Sequence, residues 1–276
     1  MGELASPVNL VAFMSDFGSK DYYTGAVKAV IKRVCPRAEV IDITHEVDPW
    51  STLEADYLLS CCFDDFPPGA IFLAVVDPGV GTGRRPIIVR TSRYWLVGPD
   101  NGVFSSVIEK DGLVKAWTIS RVPYQLKSSY TFHGRDIFAP VAAYLACGGN
   151  VEDIGLPLDK LVRLDKPETT LKDGRLLGYV AHIDRFGNVA TSIDTALLSK
   201  AGISYGSELE VLVGESSFRV KFVKTFGDAG EGELVALVNS CKVLEFAVNK
   251  GRASEYIAAK IGHRVEIVLP GMHSRF

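Results

Sequence analysis

An aspartate and an arginine that flank a glycine-rich loop are the first candidates for chemistry in this sequence. Asp77 follows an apolar run at 71–76, IFLAVV, which predicts a buried strand. Arg84 follows the loop GVGTG at 79–83. Open α/β sheets bind ligands at the carboxyl ends of their strands, so this loop predicts a site at which a carboxylate and a guanidinium orient each other. A surface ion pair on an ordinary turn explains the stretch by itself equally well.

A histidine in a second loop is the next candidate. His133 opens the motif HGRD, which ends at Asp136, where a helix is expected to start. Helix N-termini favour anions, and an imidazole beside a cleft can act as an acid, a base or an orienting group. A single histidine more often only packs or hydrogen-bonds, so this motif alone leaves both explanations open.

A turn in the second half of the chain combines a carboxylate, an aromatic ring and an amide. The sequence is DRFGN, and it contains Asp184, Phe186 and Asn188. An amide and an aromatic face can read the edge of a purine and stack on its ring. An ordinary FGN hairpin turn explains the same residues more simply.

Strands and helices alternate through the N-terminal part of the chain, which predicts an α/β fold with a mixed sheet and helices on its faces. The first strand, at 8–14, ends just before Asp16. Because sheet ligands gather outside the carboxyl ends of strands, Asp16 is expected to converge with Asp77 and His133.

The pattern changes after a segment rich in Asp, Lys and Pro at 157–174, which we interpret as a linker. Beyond it, short alternating strands separated by glycine turns predict an antiparallel barrel or sandwich. We therefore expect an α/β domain over 1–165, which carries the Asp77 loop, and an all-β barrel domain over 175–276.

Bulk composition argues against several classes of protein. The chain has 276 residues and a formal net charge of −3, so it has no general basic field for nucleic acid or an anionic membrane. The first residues form no basic leader, and no stretch approaches about 18 unbroken apolar residues. These features favour a soluble, cytoplasmic protein.

The sequence shows neither a disulfide pattern nor a metal-ligand motif. The five cysteines are odd in number and show no CxxC spacing, which predicts reduced thiols that pack in the core. Asp42, His45 and Asp48 match no recognised ligand spacing, so no metal is expected.

A set of motifs resembles the S-adenosyl-L-methionine (SAM) hydroxide adenosyltransferases, which are related to the fluorinases and chlorinases. In chain order these are MSDFG with Asp21, HEVDPW, VVDPGVGTGRR, GPDNG, FHGRD, IDRFGN, and VNS with FAVN. The resemblance covers nearly the whole chain, and the set is specific although each motif alone is weak. It implies an α/β N-terminal domain, a C-terminal β-barrel, and a homotrimer that holds each SAM between one subunit's N-terminal domain and its neighbour's C-terminal domain.

The family's reaction is attack of water or hydroxide on C5′ of SAM, which yields adenosine and L-methionine without a cofactor. The resemblance implies that Asp77, Arg84 and His133 handle the water. In the halogenating relatives, tyrosines stand at positions 77 and 133, and a serine that contacts halide stands at 134. The residues of this chain therefore favour water.

The resemblance also implies a set of substrate contacts. Asp16 would bind the ribose hydroxyls, while Trp50 and Phe132 would pack against sugar and base. The methionine end would meet Asp21, Asp184 and Ser240, and the adenine would meet Asn188 and Val248 beside Phe186. Cys241 stands where the halogenases have an arginine, so what that arginine contributes to the methionine carboxylate is missing here.

The sulfonium of SAM is already an activated leaving group, so catalysis needs only a nucleophile aligned with the C5′–S bond. Asp77 can accept a proton from water while Arg84 holds the carboxylate, and neutral His133 is a second possible acceptor. Two other functions stay open. One is a SAM-dependent halogenase, which the residues at 77, 133 and 134 argue against; the other is a SAM or adenosine sensor or reservoir with slow turnover.

Overall fold

The apolar run before Asp77 forms a central strand of a seven-stranded mixed sheet in the computed structural model, which describes residues 6–124 and 128–269. The strands are β1 (Leu10–Ser15), β2 (Glu39–Thr44), β3 (Ile71–Val75), β4 (Pro86–Thr91), β5 (Trp95–Pro99), β6 (Leu113–Ile119) and β7 (Gly155–Pro157). Their order is β2-β1-β3-β5-β4-β6-β7. The first four in this order are parallel, and the remaining pairings are antiparallel.

Helices cover both faces of this sheet, which confirms the predicted α/β fold. They are α1 (Tyr23–Val34), α2 (Thr52–Cys62), α3 (Ser105–Asp111) and α4 (Ala139–Ala146), with a π-helical turn over Gly134–Phe138 and single turns at Phe63–Asp65 and Val151–Asp153. β3 is buried along its whole length because its alternate residues enter two cores. Leu73 and Val75 pack on the side of α1 and α4, whereas Phe72 and Ala74 pack on the side of α2 and α3.

The prediction of reduced, core-packing cysteines is wrong for four of the five: Cys35, Cys61, Cys147 and Cys241 are disulfide-bonded, and Cys62 is a free thiol. Cys35, just after α1, and Cys147, just after α4, form a disulfide with Cα atoms 5.8 Å apart. Both helices pack in the same core, so their C-terminal ends meet although the cysteines lie 112 positions apart. Such a contact follows from tertiary packing, which the spacing of cysteines along the chain does not reveal.

The second half of the chain forms a closed β-barrel, which settles the choice between barrel and sandwich. Its strands are β8 (Thr170–Lys172), β9 (Arg175–Ile183), β10 (Val189–Asp194), β11 (Glu208–Val213), β12 (Ser216–Phe222), β13 (Leu234–Val238), β14 (Val243–Val248) and β15 (Arg264–Val268). The ring runs β10-β14-β13-β12-β11-β15-β9 and closes through the β9–β10 pair, with β8 added beside β9. All pairs are antiparallel except β12–β13. Short helices α5 (Thr195–Lys200) and α6 (Ala253–Tyr256) complete the unit.

The chain divides into two units, Met1–Asp165 and Lys166–Phe276. The segment 157–174 contains this division, and its last residues form β8 and the turn that leads into β9. Each unit has its own hydrophobic core. Within the two described ranges, no helix has both the length and the apolar character needed to cross a membrane.

Candidate active site

Asp77 and Arg84 form a buried pair at the carboxyl end of β3. Their side chains are 6% and 10% exposed, respectively. Nε of Arg84 donates to both carboxylate oxygens, at 2.9 and 3.0 Å, and Nη2 donates to Oδ2. The guanidinium also lies over the Phe138 ring, 5.1 Å from its centroid. This burial excludes the surface ion pair that the sequence alone left open, and it fixes both charged groups in one orientation.

The loop between these residues is folded by local hydrogen bonds. The backbone N–H of Val80 donates to the Asp77 carbonyl at 3.2 Å. The Thr82 hydroxyl donates to the Gly79 carbonyl at 2.7 Å and accepts from the Arg84 N–H at 3.3 Å. The chain therefore returns at once, and Arg84 is placed beside the carboxylate from which the loop started.

His133 extends the pair into a cluster of three. Its Nδ1 lies 2.8 Å from Nη2 of Arg84. Arginine can only donate hydrogen bonds, so Nδ1 must accept, which makes the imidazole neutral with its hydrogen on Nε2. Burial and the positive charge of Arg84 lower the pKa of His133, whereas Asp77 and Asp136 raise it. The net lowering agrees with the neutral tautomer that the geometry requires.

A cleft of about 460 Å³ opens beside this cluster. Asp77 and His133 line it together with Asp16, so the structure brings the three expected side chains to one place. Aromatic rings form much of the wall: Phe132 packs edge to face against Phe17 and Tyr23, with centroids 5.8 and 5.2 Å apart. A cleft with apolar rings and a few convergent polar groups is typical of a small-molecule site.

Asp16 and Trp50 are held to each other across the cleft wall. Oδ2 of Asp16 accepts from the Trp50 backbone N–H at 2.9 Å. Burial and the charge of Asp77 raise the pKa of Asp16, although the Trp50 N–H opposes the rise. Trp50 has a φ of 66°, and it is 72% exposed. A large indole that is mostly exposed to solvent, on a residue with a left-handed backbone conformation, is the arrangement expected of a ligand-binding ring.

A π-helical turn follows His133 before α4 begins. Such turns occur often at functional sites because they widen one turn of a helix. Gly134, the first residue of the turn, is packed closely: a Cβ added there would lie 3.1 Å from Phe17 and 3.2 Å from Val75. Any side chain at position 134 would therefore displace the wall of the cleft or the His133 loop.

The β-barrel unit has a pocket of its own, with a volume of about 440 Å³, and Phe186, Asn188 and Val248 line it. Asp184 builds the turn: Oδ1 accepts from the backbone N–H groups of Phe186 and Asn188 at 2.9 and 2.8 Å, and Oδ2 accepts from Nδ2 of Asn188 at 2.8 Å. The Asn188 amide is thus fixed with its oxygen left as an acceptor. Phe186 is 71% exposed beside it.

Three of the expected substrate contacts, Asp21, Asp184 and Ser240, are not in the lining of either pocket. Asp21 is exposed before α1, and Ser240 is exposed in the turn between β13 and β14. Conversely, Tyr22 and Arg135 line the cleft although the sequence analysis did not select them. Arg135 belongs to the HGRD motif, so the sequence offered a reason to select it as a candidate site residue. Its position in the cleft depends on the turn after His133.

The acidic residues near the end of β2 are engaged with other partners. Asp42 pairs with Lys28, and its Oδ1 lies 3.1 Å from Nε2 of His45, whose Nδ1 meets the Ser15 hydroxyl at 2.8 Å. Across residues 6–124 and 128–269, no group of three His, Cys, Asp or Glu side chains is arranged to hold a metal ion.

Comparison with known proteins shows similarity along both units. The family model described as the SAM hydroxide adenosyltransferase N-terminal domain matches residues 11–155, and that of the C-terminal domain matches residues 178–266. A protein named (R)-S-adenosyl-L-methionine hydrolase from Thermus thermophilus is 37% identical over 94% of this chain and 99% of its own length. A protein of the same name from Salinispora tropica is 36% identical over 95% and 98%.

Halogenating enzymes and a solved structure are also similar. A fluorinase from an Actinoplanes species is 31% identical over 87% of this chain and 91% of its own length. The crystal structure of an uncharacterized conserved protein from Thermotoga maritima is 41% identical, with a TM-score of 0.89 over 94% of this chain and 99% of that one.

Proposed function

The chain belongs to the SAM hydroxide adenosyltransferase family, and on that basis we propose that it hydrolyses SAM to adenosine and L-methionine. The hydrolases to which it is similar are named for the (R) epimer, so we assign (R)-SAM as the substrate. The observation that carries the proposal is the buried cluster of Asp77, Arg84 and His133 beside an aromatic cleft.

In the proposed reaction, water attacks C5′ in line with the bond to sulfur. The C5′–O bond forms as the C5′–S bond breaks, and the bonding electron pair leaves with sulfur to give the neutral thioether of methionine. Asp77 orients the water and accepts its proton, because Arg84 holds the carboxylate in place. His133 accepts from Arg84 at Nδ1, so its Nε2–H is left to donate to the attacking oxygen. The sulfonium supplies the leaving group, so no cofactor enters these steps.

The two pockets suggest how the substrate is divided between the units. We assign the ribose hydroxyls to Asp16, with Trp50 and Phe132 against the sugar and base. Phe186, Asn188 and Val248 would receive the adenine, with the fixed Asn188 oxygen accepting from its amino group. Asp21, Asp184 and Ser240 remain the proposed contacts of the methionine end.

We further propose that the active protein is a homotrimer in which a cleft from one subunit faces a barrel pocket from another. Support comes from Trp50 and Phe186, large rings that are both more than two thirds exposed within their own units. A cytoplasmic location is part of the proposal. It requires that the Cys35–Cys147 disulfide persists there, as disulfides do in intracellular proteins of hyperthermophiles.

The function is tested with purified protein, a mixture of the two SAM epimers at neutral pH, and chromatography of products and remaining substrate. We expect equal amounts of adenosine and methionine over many turnovers, consumption of the (R) epimer, and loss of both products in Asp77→Ala. A halogenated adenosine product on addition of chloride or fluoride would instead identify a halogenase. SAM or adenosine retained without turnover would identify a binding protein.

The trimer is tested by light scattering and by mixing inactive variants. Chains with Asp77→Ala lose the cleft function, and chains with Asn188→Ala lose the barrel function. If each site is shared between subunits, unfolding and refolding the two variants together restores part of the activity. No recovery would place both halves of each site in one chain.

A further inference from the structure

A single side chain with a permanent positive charge lines the cleft among the described residues, and it is Arg135. Arg84 lies behind the lining, engaged by Asp77 and His133, and His133 is neutral. Asp16 and Asp77 are the acidic lining residues. An anionic part of a ligand in this cleft therefore has one fixed cation to meet.

Arg135 is held rigidly in the wall. Its Nε donates to Oδ1 of Asp136 at 2.6 Å, and Nη2 donates to Oδ2 at 2.9 Å. The guanidinium also stacks over Phe132, with Cζ 4.8 Å from the ring centroid. The hydrogen bond that Arg135 donates to Asp136 raises the pKa of Arg135, so the group stays charged. Asp136 is buried, and this arrangement points the plane of the fork in one direction.

The fork keeps donors that Asp136 does not use. A guanidinium has five N–H groups, and the two contacts to Asp136 use Nε and one hydrogen of Nη2. The hydrogens on Nη1 and the second one on Nη2 are left, and they match the planar geometry of a carboxylate. The side chain is 15% exposed, so a ligand can reach it.

Arg135 lies on the side of the cleft that is next to α1. It lines an adjoining hollow of about 290 Å³ together with Tyr22 and Arg33, and Tyr22 also lines the main cleft. Asp21 directly precedes Tyr22 in the chain. The methionine end of SAM carries an ammonium and a carboxylate, so an acidic and a basic side chain on this side complement its two charges.

We propose that Arg135 binds the α-carboxylate of SAM and is a specificity-determining residue for substrates that carry that group. The inference rests on the proposed function, and it assigns to an N-terminal side chain the carboxylate contact for which position 241 offers no cation. Decarboxylated SAM, which has the same adenosine, sulfonium and terminal ammonium, is the probe that isolates this contact.

The test is a comparison of SAM and decarboxylated SAM in wild type and in Arg135→Gln. We expect kcat/KM for SAM to fall about tenfold to a hundredfold in the variant, mainly through KM, because the carboxylate is remote from C5′. The value for decarboxylated SAM is expected to stay within about twofold, since its contact with Arg135 is absent in both proteins. Arg33→Gln, an exposed arginine in the adjoining hollow, is the matched control and should change neither substrate.

A structural role would give a different result. If Arg135 only supports the Phe132 and His133 segment, both substrates lose activity equally, and the proposal is wrong. Because Arg135→Gln leaves the buried Asp136 without its partner, the double variant Arg135→Gln/Asp136→Asn removes that charge and should show the same selective loss.

Equilibrium binding separates this inference from the reaction itself. If wild type turns over neither compound, calorimetric titration with both still measures the carboxylate contact. A wild-type preference for SAM that disappears in the double variant supports Arg135, and equal affinities of wild type for the two compounds refute it. Adenosine binding should be unchanged in every variant, which reports that the cleft has kept its shape.

Discussion

Replacing Asp77 by asparagine should reduce kcat about a hundredfold or more while KM for SAM changes by less than about threefold. The amide has the same shape, and its oxygen can still accept from Nε of Arg84, which now donates to the carboxylate at 2.9 Å. It cannot take a proton from water. The loss therefore belongs to the chemical step and not to substrate binding.

The same substitution should lower the free energy of unfolding of the N-terminal unit. Arg84 is 10% exposed, so removal of the opposing charge leaves a buried cation without its ionic partner. Breaking such a pair costs about 3–5 kcal/mol, and the retained hydrogen bond puts the expected loss near the lower end. At about 2–4 °C per kcal/mol for a chain of this size, Tm should fall by about 6–12 °C.

A second ion pair, in which the carboxylate is buried and the arginine is exposed, supplies the control. Asp100 accepts from Nε of Arg85 at 2.9 Å and from the backbone N–H of Val162 at 2.9 Å, and its side chain is 1% exposed. Asp100→Asn should also lower Tm, by less than Asp77→Asn because Arg85 is 41% exposed and stays hydrated, yet leave kcat within about threefold at a temperature where the protein is folded, because Asp100 is not part of the cleft lining.

The assay measures initial rates of adenosine formation over a range of SAM concentrations, with thermal unfolding followed by circular dichroism on the same preparations. A kcat of Asp77→Asn within tenfold of wild type would refute the role of the carboxylate as proton acceptor. An equal loss of kcat in Asp100→Asn would show that the effect comes from stability and not from chemistry.

Three further predictions follow from the site and the disulfide. Burial and the neighbouring guanidinium lower the pKa of His133, so kcat/KM should stay level down to about pH 6.5 and fall only in more acid solution. The same acid limb retained in His133→Asn would refute its assignment to His133. The unfolded chain takes up the His133 proton first, so the stability this group contributes is present above about pH 6.5 and is lost as the pH falls below it. Cys35→Ser should remove up to about 5 kcal/mol from the free energy of unfolding, measured by denaturant titration without reducing agent, since the disulfide closes a loop across 112 positions. Gly134→Ser should slow hydrolysis about tenfold or more without yielding a halogenated product, because its Cβ would lie 3.1 Å from Phe17; chromatography with added chloride or fluoride measures both.

The sheet and the main charged pair could be predicted because their signals are local. β3 is apolar over its whole length because both of its faces are covered. The turn residues that follow it mark its carboxyl end, which is where open α/β sheets bind ligands, so Asp77 could be selected from the sequence. The convergence of Asp16 with Asp77 follows from the parallel pairing of β1 and β3, which puts their carboxyl ends together.

The remaining features depend on contacts between distant segments. The Cys35–Cys147 disulfide requires the ends of α1 and α4 to meet, and no spacing rule specifies that. The tautomer of His133 follows only from its distance to Arg84, a residue 49 positions away. Arg135 belongs to the HGRD motif, which the sequence shows. That it is the permanently charged cation of the cleft lining follows only from the positions of the other lining residues.

The cluster also gives a physical reason for the use of water by a fold that fluorinases share. Asp77 lines the cleft, so a halide approaching C5′ would meet a fixed negative charge. Two like charges about 4 Å apart repel by about 4 kcal/mol at an effective dielectric constant of 20, which sets an upper limit of roughly a thousandfold on the loss of halide occupancy before the charge of Arg84 is counted. The charge of Arg84 offsets part of this repulsion, but its Nε and Nη2 are engaged by Asp77 and His133, so these two nitrogens are not free to solvate a halide. Water carries no charge into the site and gives its proton to the same carboxylate, so the group that repels an anion is the one that activates the neutral nucleophile.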